Sequence, residues 1–377
     1  MTKGQQLKSF CPIRGQTDWI TLAWLRKMGG GADEVFYNFD GTKVTKLKVK
    51  IEKPGNYGLA YISGDITNDK PTIIDWGNGE KTTLATPITN ETQANASTDF
   101  YTNYSNPGEY EISIDGWYNH FQCYAYNLKK DGITKISNVL IEIIQVSNLI
   151  IDFNYTFAKC WKLATIPDGL FDKNTNATSF TETFSNCQGL TSIPSGLFDK
   201  NVNATSFNYT FSNCQGLTSI PSGLFNNNTS VTEFDGTFFE CYYLANIPSG
   251  LFNNNTSVTK FNGTFKSCSK LTTIPPGLFD NNTKVTDFKG VFDGCRSLTN
   301  IPSGLFDKNV NVNIFDFVFF DCENLTGETP YTLSDGKKIK LWDRDEANGF
   351  AKPKIGYRAF SNCFGLTDYK DIPSSWK

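Results

Sequence analysis

The chain is poor in the residues on which most enzyme active sites depend. Its 377 residues include one histidine, His120, and charged residues make up only 19%. A single histidine allows at most one Ser-His-Asp or Cys-His arrangement. The sequence has neither a His-Glu-x-x-His nor a Walker motif. A pair of carboxylates needs no histidine to hydrolyse a glycosidic bond, so a glycan-degrading enzyme stays open as an alternative. We expect a non-enzymatic protein without a cofactor, in which His120 has a structural role.

The chain also lacks an excess of one charge and a long apolar run. Lysine and arginine number 35 against 38 acidic residues, a net charge of −3, so nucleic acid is not the expected partner. The most apolar run, Val139 to Ile151, is short and broken by polar residues, so it cannot span a bilayer. No secretory signal is recognisable at the N-terminus. We expect a soluble protein, which could work outside a cell as part of a virus particle.

Aromatic residues are abundant, and cysteine follows a period. Phenylalanine occurs 31 times, which is enough apolar mass for packed cores. Seven cysteines are spaced 27 residues apart, each with Phe three residues before it and Leu three residues after it. These cysteines are Cys160, Cys187, Cys214, Cys241, Cys268, Cys295 and Cys322. The unit continues as Ile-Pro-x-Gly-Leu-Phe, a fixed Asn and a second Phe.

A fixed period of this length predicts a solenoid, because one unit cannot bury its own apolar side but stacked units can. The Leu-x-x-Ile-Pro segment is expected to form a short strand, the glycine a tight turn, and the Asn a cap for free backbone groups. Equivalent cysteines in neighbouring coils point the same way, so we expect a column of buried free thiols and no disulfide. Their spacing is not that of a metal site. Cys11, Cys123 and Cys363 lie off this column, although Phe360 and Leu366 flank Cys363 as in a degenerate further coil.

The segment "VTEFDGTFFECYYLANIP" (Val231 to Pro248) resembles the BspA-like leucine-rich repeat, with its Phe-x-x-Cys-x-x-Leu core. The resemblance covers about residues 150 to 327 and, weakly, the last twenty. It implies a surface adhesin, or a surface or phage protein of gut bacteria.

Residues 46–118 have a different pattern, with short β-rich runs such as "KLKVKIE", "PTIIDWG" and "EYEISID" between turn residues. Ile73 to Leu84 and Tyr104 to Gly116 resemble the PKD-like fold, although Asn78 replaces its usual Asp. The expected fold is mainly β: a PKD- or immunoglobulin-like β-sandwich followed by a leucine-rich-repeat solenoid with 27-residue coils.

The remaining segments are expected to anchor or cap these two parts. We divide the chain into an N-terminal anchoring or oligomerisation segment (1–45), the PKD-like sandwich (46–118), a solenoid cap (119–150), the repeats (151–327) and a C-terminal insertion with a capping repeat (328–377). A helix is predicted over Thr17 to Lys27. This helix is expected either to serve attachment or oligomerisation, or to pack on the sandwich. Near the C-terminus, Trp376 is a candidate lid.

An acidic cluster in the C-terminal insertion is the one candidate cation site. Asp343, Asp345 and Glu346 could ligate Ca²⁺, but their spacing lacks the loop pattern and Arg344 sits between them, so a solvated turn is preferred.

The residues that vary beside each cysteine are the candidate ligand-binding site. Aromatic side chains and one arginine replace small or polar residues there, which suits carbohydrate or protein recognition, although they could also pack against the cap or another subunit. These residues are Trp161, Phe239, Tyr242, Tyr243, Arg296, Phe317 and Phe320. Tyr155 and Tyr209 share one further position with Glu182 and three glycines.

From these features we expect a phage virion protein, a tail or head fibre or decoration, that binds a glycan or protein of the host surface. Its N-terminal segment would contact other virion proteins, and a homotrimer is one arrangement considered. The alternative is a bacterial surface adhesin.

Overall fold

The computed structural model describes residues 43–66, 70–87, 101–124, 133–354 and 356–377. The predicted N-terminal helix and Cys11 lie outside these residues. Within them the chain is mainly β, as expected: it has twelve short strands, five 3-10 helices and no α-helix. The strands are β1 (Val44–Ile51), β2 (Gly55–Gly58), β3 (Tyr61–Gly64), β4 (Thr72–Asp75), β5 (Lys81–Leu84), β6 (Tyr101–Tyr104), β7 (Gly108–Gly116), β8 (Tyr118–Gln122), β9 (Ile133–Lys135), β10 (Leu140–Gln145), β11 (Tyr331–Ser334) and β12 (Lys337–Lys340). The 3-10 helices are Ile136–Asn138, Leu341–Asp343, Glu346–Asn348, Tyr369–Asp371 and Ser374–Trp376.

The first ten strands form three sheets ahead of the repeats. A five-stranded antiparallel sheet has the order β10-β1-β7-β4-β5, β2 lies between β6 and β9, and β3 pairs with β8. Burial alternates along β1 and β4, as expected for strands with one face on a core. In the β4–β5 hairpin, Asn78 donates to Thr102 Oγ1 at 2.8 Å and accepts from the amide of Glu80 at 3.0 Å. Tyr104 OH donates to the carbonyl of Trp76 at 2.8 Å, which fastens this hairpin to β6.

Strand β8 joins the sheets to the first coil of the repeat. The amide of Ile151 donates to the carbonyl of Asn119 at 3.1 Å, and the amide of Cys123 donates to the carbonyl of Thr156 at 2.9 Å. The Phe121 ring meets the Phe157 ring with centroids 5.7 Å apart. The front sheets therefore cover the apolar end of the stack through β8.

Cys123, expected off the cysteine column, instead lies at its front end. It is fully buried, and its thiol neighbours that of Cys160. The expectation failed because Cys123 is brought there by β8, outside the 27-residue period.

Each coil bonds to the next through its backbone, and positions within a coil are numbered here from its cysteine, position 0. Amides at positions −7, −5, −3 and −1 donate to carbonyls of the following coil, as from Phe153 to Ser179 at 3.0 Å and from Phe157 to Thr183 at 2.9 Å. Position −8 forms a parallel bridge from coil to coil, beginning with Asp152 and Ser179. From the coil of Cys160 to that of Cys322 the bridge therefore lies before the cysteine, and the Leu-x-x-Ile-Pro segment, where a strand was expected, forms none. The last coil differs, since its bridge joins Gly327 to Leu366, after the cysteine.

Three columns of phenylalanine rings fill the coils. Equivalent rings of neighbouring coils lie nearly parallel, for example Phe225 and Phe252 with centroids 6.2 Å apart and an 8° interplanar angle. Rings of different columns are tilted, as between Phe252 and Phe261 at 4.8 Å. All of these rings are fully buried, so the core of the stack is continuous from coil to coil.

The cysteine column adds weak hydrogen bonds to this core. From Cys187 onward, each thiol of the column donates to the carbonyl of the Phe at position −3 of the preceding coil, for example Cys268 Sγ to Phe238 O at 3.2 Å. Cys363, on the last coil, makes the same contact with Phe319 O at 3.0 Å. Burial raises the pKa of the Cys241 thiol to about 12, so the buried group stays protonated and can donate. The nine cysteines of the described residues are free thiols.

The fixed asparagine caps carbonyls of the preceding coil. Asn255 Nδ2 donates to Phe225 O at 3.0 Å and to Asn228 O at 2.9 Å, and the same pair of bonds recurs from Asn201 to Asn309. Asn174 does the same for Ser147 and Ile150, ahead of the first coil. The predicted Gly turn is present too, with φ of +65° at Gly169.

Arg344 ends the asparagine column. Its guanidinium donates to Phe306 O at 2.8 Å and Asn309 O at 3.3 Å, the two carbonyls that a further asparagine would cap. Arg344 is only 2% exposed and lies 4.3 Å from the Phe350 ring centroid. Burial lowers its pKa to about 10, so the side chain is still a cation at neutral pH. Asp343, Asp345 and Glu346 are exposed, as expected for a solvated turn, whereas Arg344 between them is buried.

The acidic residues around Arg344 do not converge. Asp345 accepts from the Asn348 amide at 3.0 Å as a 3-10 helix cap. Within the described residues, no group of three or more potential metal ligands occurs. Trp376 covers the last coil, with its ring stacked 6.4 Å from that of Phe360.

Candidate ligand-binding surface

Exposed aromatic side chains are confined to one strip of the stack. Among the described residues, five aromatic side chains are more than a third exposed, and all lie between positions −6 and +2 of a coil. They are Trp161, Tyr209, Tyr243, Tyr357 and Phe364. We call positions −6 to +2 of the coils the aromatic strip. Beyond it, the exposed large apolar residues of the coils are aliphatic: Ile151, Val202 and Val310.

The backbone of the strip has left-handed residues at fixed places. Positions −5 and −1 have positive φ in every coil from Cys160 to Cys363. Glycine occupies position −5 in three coils, at Gly236, Gly263 and Gly290, whereas Tyr209 and Phe317 take it with φ of 55° and 57°. A bulky side chain in this region is an outlier that costs about 1–2 kcal/mol.

The predicted site residues all lie on the strip, with different exposure. Trp161 and Tyr243 are 49% and 60% exposed, while Phe239, Tyr242, Phe317 and Phe320 are partly buried. Arg296 is exposed but held by Asp321, whose Oδ2 lies 2.6 Å from its Nη2, and this pairing lowers the pKa of Asp321.

Two groups of rings form on the strip. Tyr209 and Phe239 meet edge to face, with centroids 6.5 Å apart, and the Tyr209 ring lies over the backbone of Gly236. Phe317 contacts Phe320 at 5.7 Å and Tyr357 at 5.4 Å, both nearly perpendicular. The structure therefore brings together Phe239 with Tyr209, and Phe317 with Phe320.

Tyr357 and Phe364 are strip residues that the sequence comparison of coils missed. The insertion before the last coil breaks the 27-residue step, so they do not align with their counterparts. Numbering the last coil from Cys363 places Tyr357 at position −6 and Phe364 at position +1.

Carboxylates on the strip are paired or partly buried. Asp293 lies 2.8 Å from Lys266 Nζ, and Glu233, at position −8 just before the strip, lies 2.7 Å from Lys260 Nζ. Burial raises the pKa of Asp235 to about 6, although its Oδ1 accepts from the Asn262 amide at 2.9 Å.

His120 lies at the front edge of the stack and is held on both sides. Its Nδ1 is 2.8 Å from the carbonyl of Asp152, and its Nε2 is 3.1 Å from Gln122 Nε2. With Nδ1 protonated, it donates to Asp152 and accepts from Gln122.

Solved structures that are similar to parts of this chain include the following three. A leucine-rich cell surface protein from Faecalibacterium prausnitzii is 18% identical, with 59% of this chain and 77% of that chain covered and a TM-score of 0.21. The functional domain of InlJ from Listeria monocytogenes, which includes a cysteine ladder, is 13% identical, with 48% and 61% covered and a TM-score of 0.14. TLR13, in its complex with ssRNA13, is 12% identical, with 55% and 42% covered and a TM-score of 0.14. At such low scores the fold description depends on the hydrogen bonds and ring columns of this chain.

No protein-family model and no curated protein matches the chain. No helix among the described residues is long and apolar enough to cross a membrane.

Proposed function

We propose that this chain is a non-enzymatic binding protein, displayed at a bacterial cell surface, that holds a glycan or protein ligand on the aromatic strip. The observation that carries the proposal is the confinement of exposed aromatic rings to the strip. Flat, rigid rings supply contact area at a small cost in conformational entropy, and they are enriched where proteins bind ligands. A stack of coils held by buried ring columns gives such rings fixed positions.

The finer assignments belong to the same proposal. We assign the coils to a BspA-like leucine-rich solenoid and the front sheets to a PKD-like module that serves as a spacer. The resemblance to surface proteins supports display on a cell. A phage fibre has no structural support here, since its predicted attachment segment lies outside the described residues.

The coils themselves supply native replacements for a test. Trp161→Gln and Tyr242→Gln introduce the residue that Gln188 and Gln215 provide at position +1, and Tyr243→Gly and Phe239→Ser likewise copy other coils. Val202→Thr with Val310→Thr is the matched control outside the strip, since four other coils have Thr at that position.

Binding of the full chain to an immobilised mucin layer would be measured by surface plasmon resonance. We expect the control to bind like the unaltered chain and the four-residue strip variant to bind at least tenfold more weakly. Equal binding by both variants, or no binding by the unaltered chain, would contradict the proposal. A release of reducing ends from the mucin would instead favour the glycosidase alternative.

A further inference from the structure

We infer that the ligand of the aromatic strip is an uncharged polysaccharide chain that runs along the stack and rests on two groups of rings. This inference depends on the proposed function and narrows it to one ligand class and one path. The first group is Tyr209 with Phe239, and the second is Phe317 with Phe320 and Tyr357. They are called the front and rear ring groups below.

The two ring groups present equivalent side chains at a fixed separation. Tyr209 and Phe317 both occupy position −5, in coils that are four steps apart. With hydrogen-bonded coils spaced about 4.8 Å, their backbones lie about 19 Å apart along the stack. A linear polymer of several sugar residues is long enough to touch both groups.

Between the ring groups, position −5 carries no side chain. The three intervening coils have Gly236, Gly263 and Gly290 there, and the Tyr209 ring covers the first of these. At Gly263 and Gly290 no side chain rises from this position, so a chain resting on Tyr209 can continue to Phe317.

The backbone conformation at position −5 belongs to every coil and is compatible with different residues. Three coils have glycine there, whereas Tyr155, Glu182, Tyr209, Phe317 and Arg358 hold the same positive φ. The fold does not require a ring at position −5, as three coils show.

The character of the strip favours a sugar over a protein or a polyanion. Protein interfaces centre on one contiguous desolvated patch, whereas the two ring groups are separated by polar surface. A sugar ring offers an apolar face for stacking and hydroxyls at its edge for hydrogen bonds. Lys266 and Arg296 pair with carboxylates of the strip, whereas Lys270 and Lys289 are exposed. The strip of the coils from Cys214 to Cys322 nevertheless has four basic against six acidic residues, so it does not favour a polyanion.

Tyr209→Gly and Phe317→Gly separate binding from folding, because glycine is the native residue at this position in other coils. Unfolding by urea should show both variants to be as stable as the unaltered chain or more so. Glu182→Gly, in a third coil, measures the effect of the glycine itself on stability. Val202→Thr is the control for binding.

The full chain would be run by affinity electrophoresis through gels that contain a soluble β-glucan, an α-mannan or a xylan, with heparin and gelatin as the anionic and protein probes. We expect retardation by at least one uncharged polysaccharide, unchanged between low and high salt. Each single variant should bind about tenfold more weakly, and the double variant should lose retardation. Oligosaccharides too short to span both groups should bind independently of Phe317→Gly.

Retardation by heparin or gelatin alone, by none of the polysaccharides, or equally for the double variant would overturn the inference. The mucin experiment separates this failure from that of the proposed function. If the four-residue strip variant still loses mucin binding, the strip binds a ligand of another class; if it does not, both proposals fail.

Discussion

The front sheets and the coils are held in register by different groups. In the front sheets, β1 pairs with β7 over eight consecutive residue pairs, from Val44 to Ile51. Each coil contributes a single bridged residue to the next, and side-chain columns of Phe, Cys and Asn accompany its backbone bonds. Contacts between repeated side chains are visible in the sequence as a period. Pairing through backbone groups alone is almost invisible there.

This difference also predicts how far the effect of a destabilising substitution extends. A coil contacts only its neighbours, so the stability of a stack is close to a sum of local terms. A sheet with long-range antiparallel pairing is expected to lose order as a unit. Each of the following changes tests one side of this contrast.

The largest effect is expected from removing a ring in the middle of the stack. Phe252→Ala deletes contacts with five rings and leaves a cavity, which should lower the free energy of unfolding by about 3–5 kcal/mol. Native-state hydrogen exchange should show lost protection concentrated in the adjacent coils. Ile112→Ala, at a fully buried position of β7, should instead lower protection across the whole five-stranded sheet. The same spread of exchange in both variants would remove the contrast.

The next effect concerns the asparagine column. Asn255→Ala leaves the carbonyls of Phe225 and Asn228 without their side-chain donor inside the core, at a cost of about 2–4 kcal/mol. Asn254→Ala is the matched control, because this exposed neighbour makes one bond, to Asn226 O at 2.9 Å. In urea, Asn255→Ala should unfold at a clearly lower midpoint concentration than Asn254→Ala. A cost at Asn255 no larger than at Asn254 would mean that the column does not hold the coils.

A smaller and more local effect is expected where the column ends. Arg344→Met removes the donors to Phe306 O and Asn309 O, which should cost about 1–3 kcal/mol and loosen the C-terminal insertion before the coils. Hydrogen exchange of the amides around Phe350 would report this loosening. Arg358→Met, at an exposed arginine, should change stability by less than about 0.5 kcal/mol. Uniform loss of protection along the stack would contradict the local role.

The contrast explains what the sequence could predict. The Phe, Cys, Leu and Asn columns were visible because the same side chain is needed in every coil. The bridge at position −8 was invisible because it uses backbone groups, and residues as different as Ser179, Glu233 and Lys260 occupy it. The isoleucine and proline of the unit suggested a strand, but the segment forms none.

The two ends of the stack were harder to predict, since each replaces a repeated residue by something else. Cys123, which directly follows β8, lies next to the thiol column. The Arg344 guanidinium donates to the two carbonyls that an asparagine caps in other coils. On the strip, variation between coils identified Trp161 and Tyr243, but the broken register concealed Tyr357. Aperiodic capping leaves no pattern that a comparison of coils can detect.

The smallest effect tests a charge on the strip. Burial raises the pKa of Asp235 to about 6, above the value near 3.9 of an unfolded chain. Between these values the folded state binds more protons, so this group makes the protein less stable as pH rises through that window. Asp235→Asn keeps the acceptor for the Asn262 amide, as Asn208 does for the Asp235 amide one coil earlier at 2.9 Å. It should therefore stabilise the protein at pH 7 by on the order of 1 kcal/mol after solvent screening, and by nothing near pH 4.

Glu233→Gln supplies the opposite case for the same measurement. The hydrogen bond from Lys260 lowers the pKa of Glu233, so its contribution is present at neutral pH and is lost as pH falls. Melting temperatures of the three proteins between pH 4 and pH 8 should thus diverge toward neutral pH, with Asp235→Asn above the unaltered chain and Glu233→Gln at or below it. Parallel curves would show that neither carboxylate titrates differently in the folded and the unfolded protein.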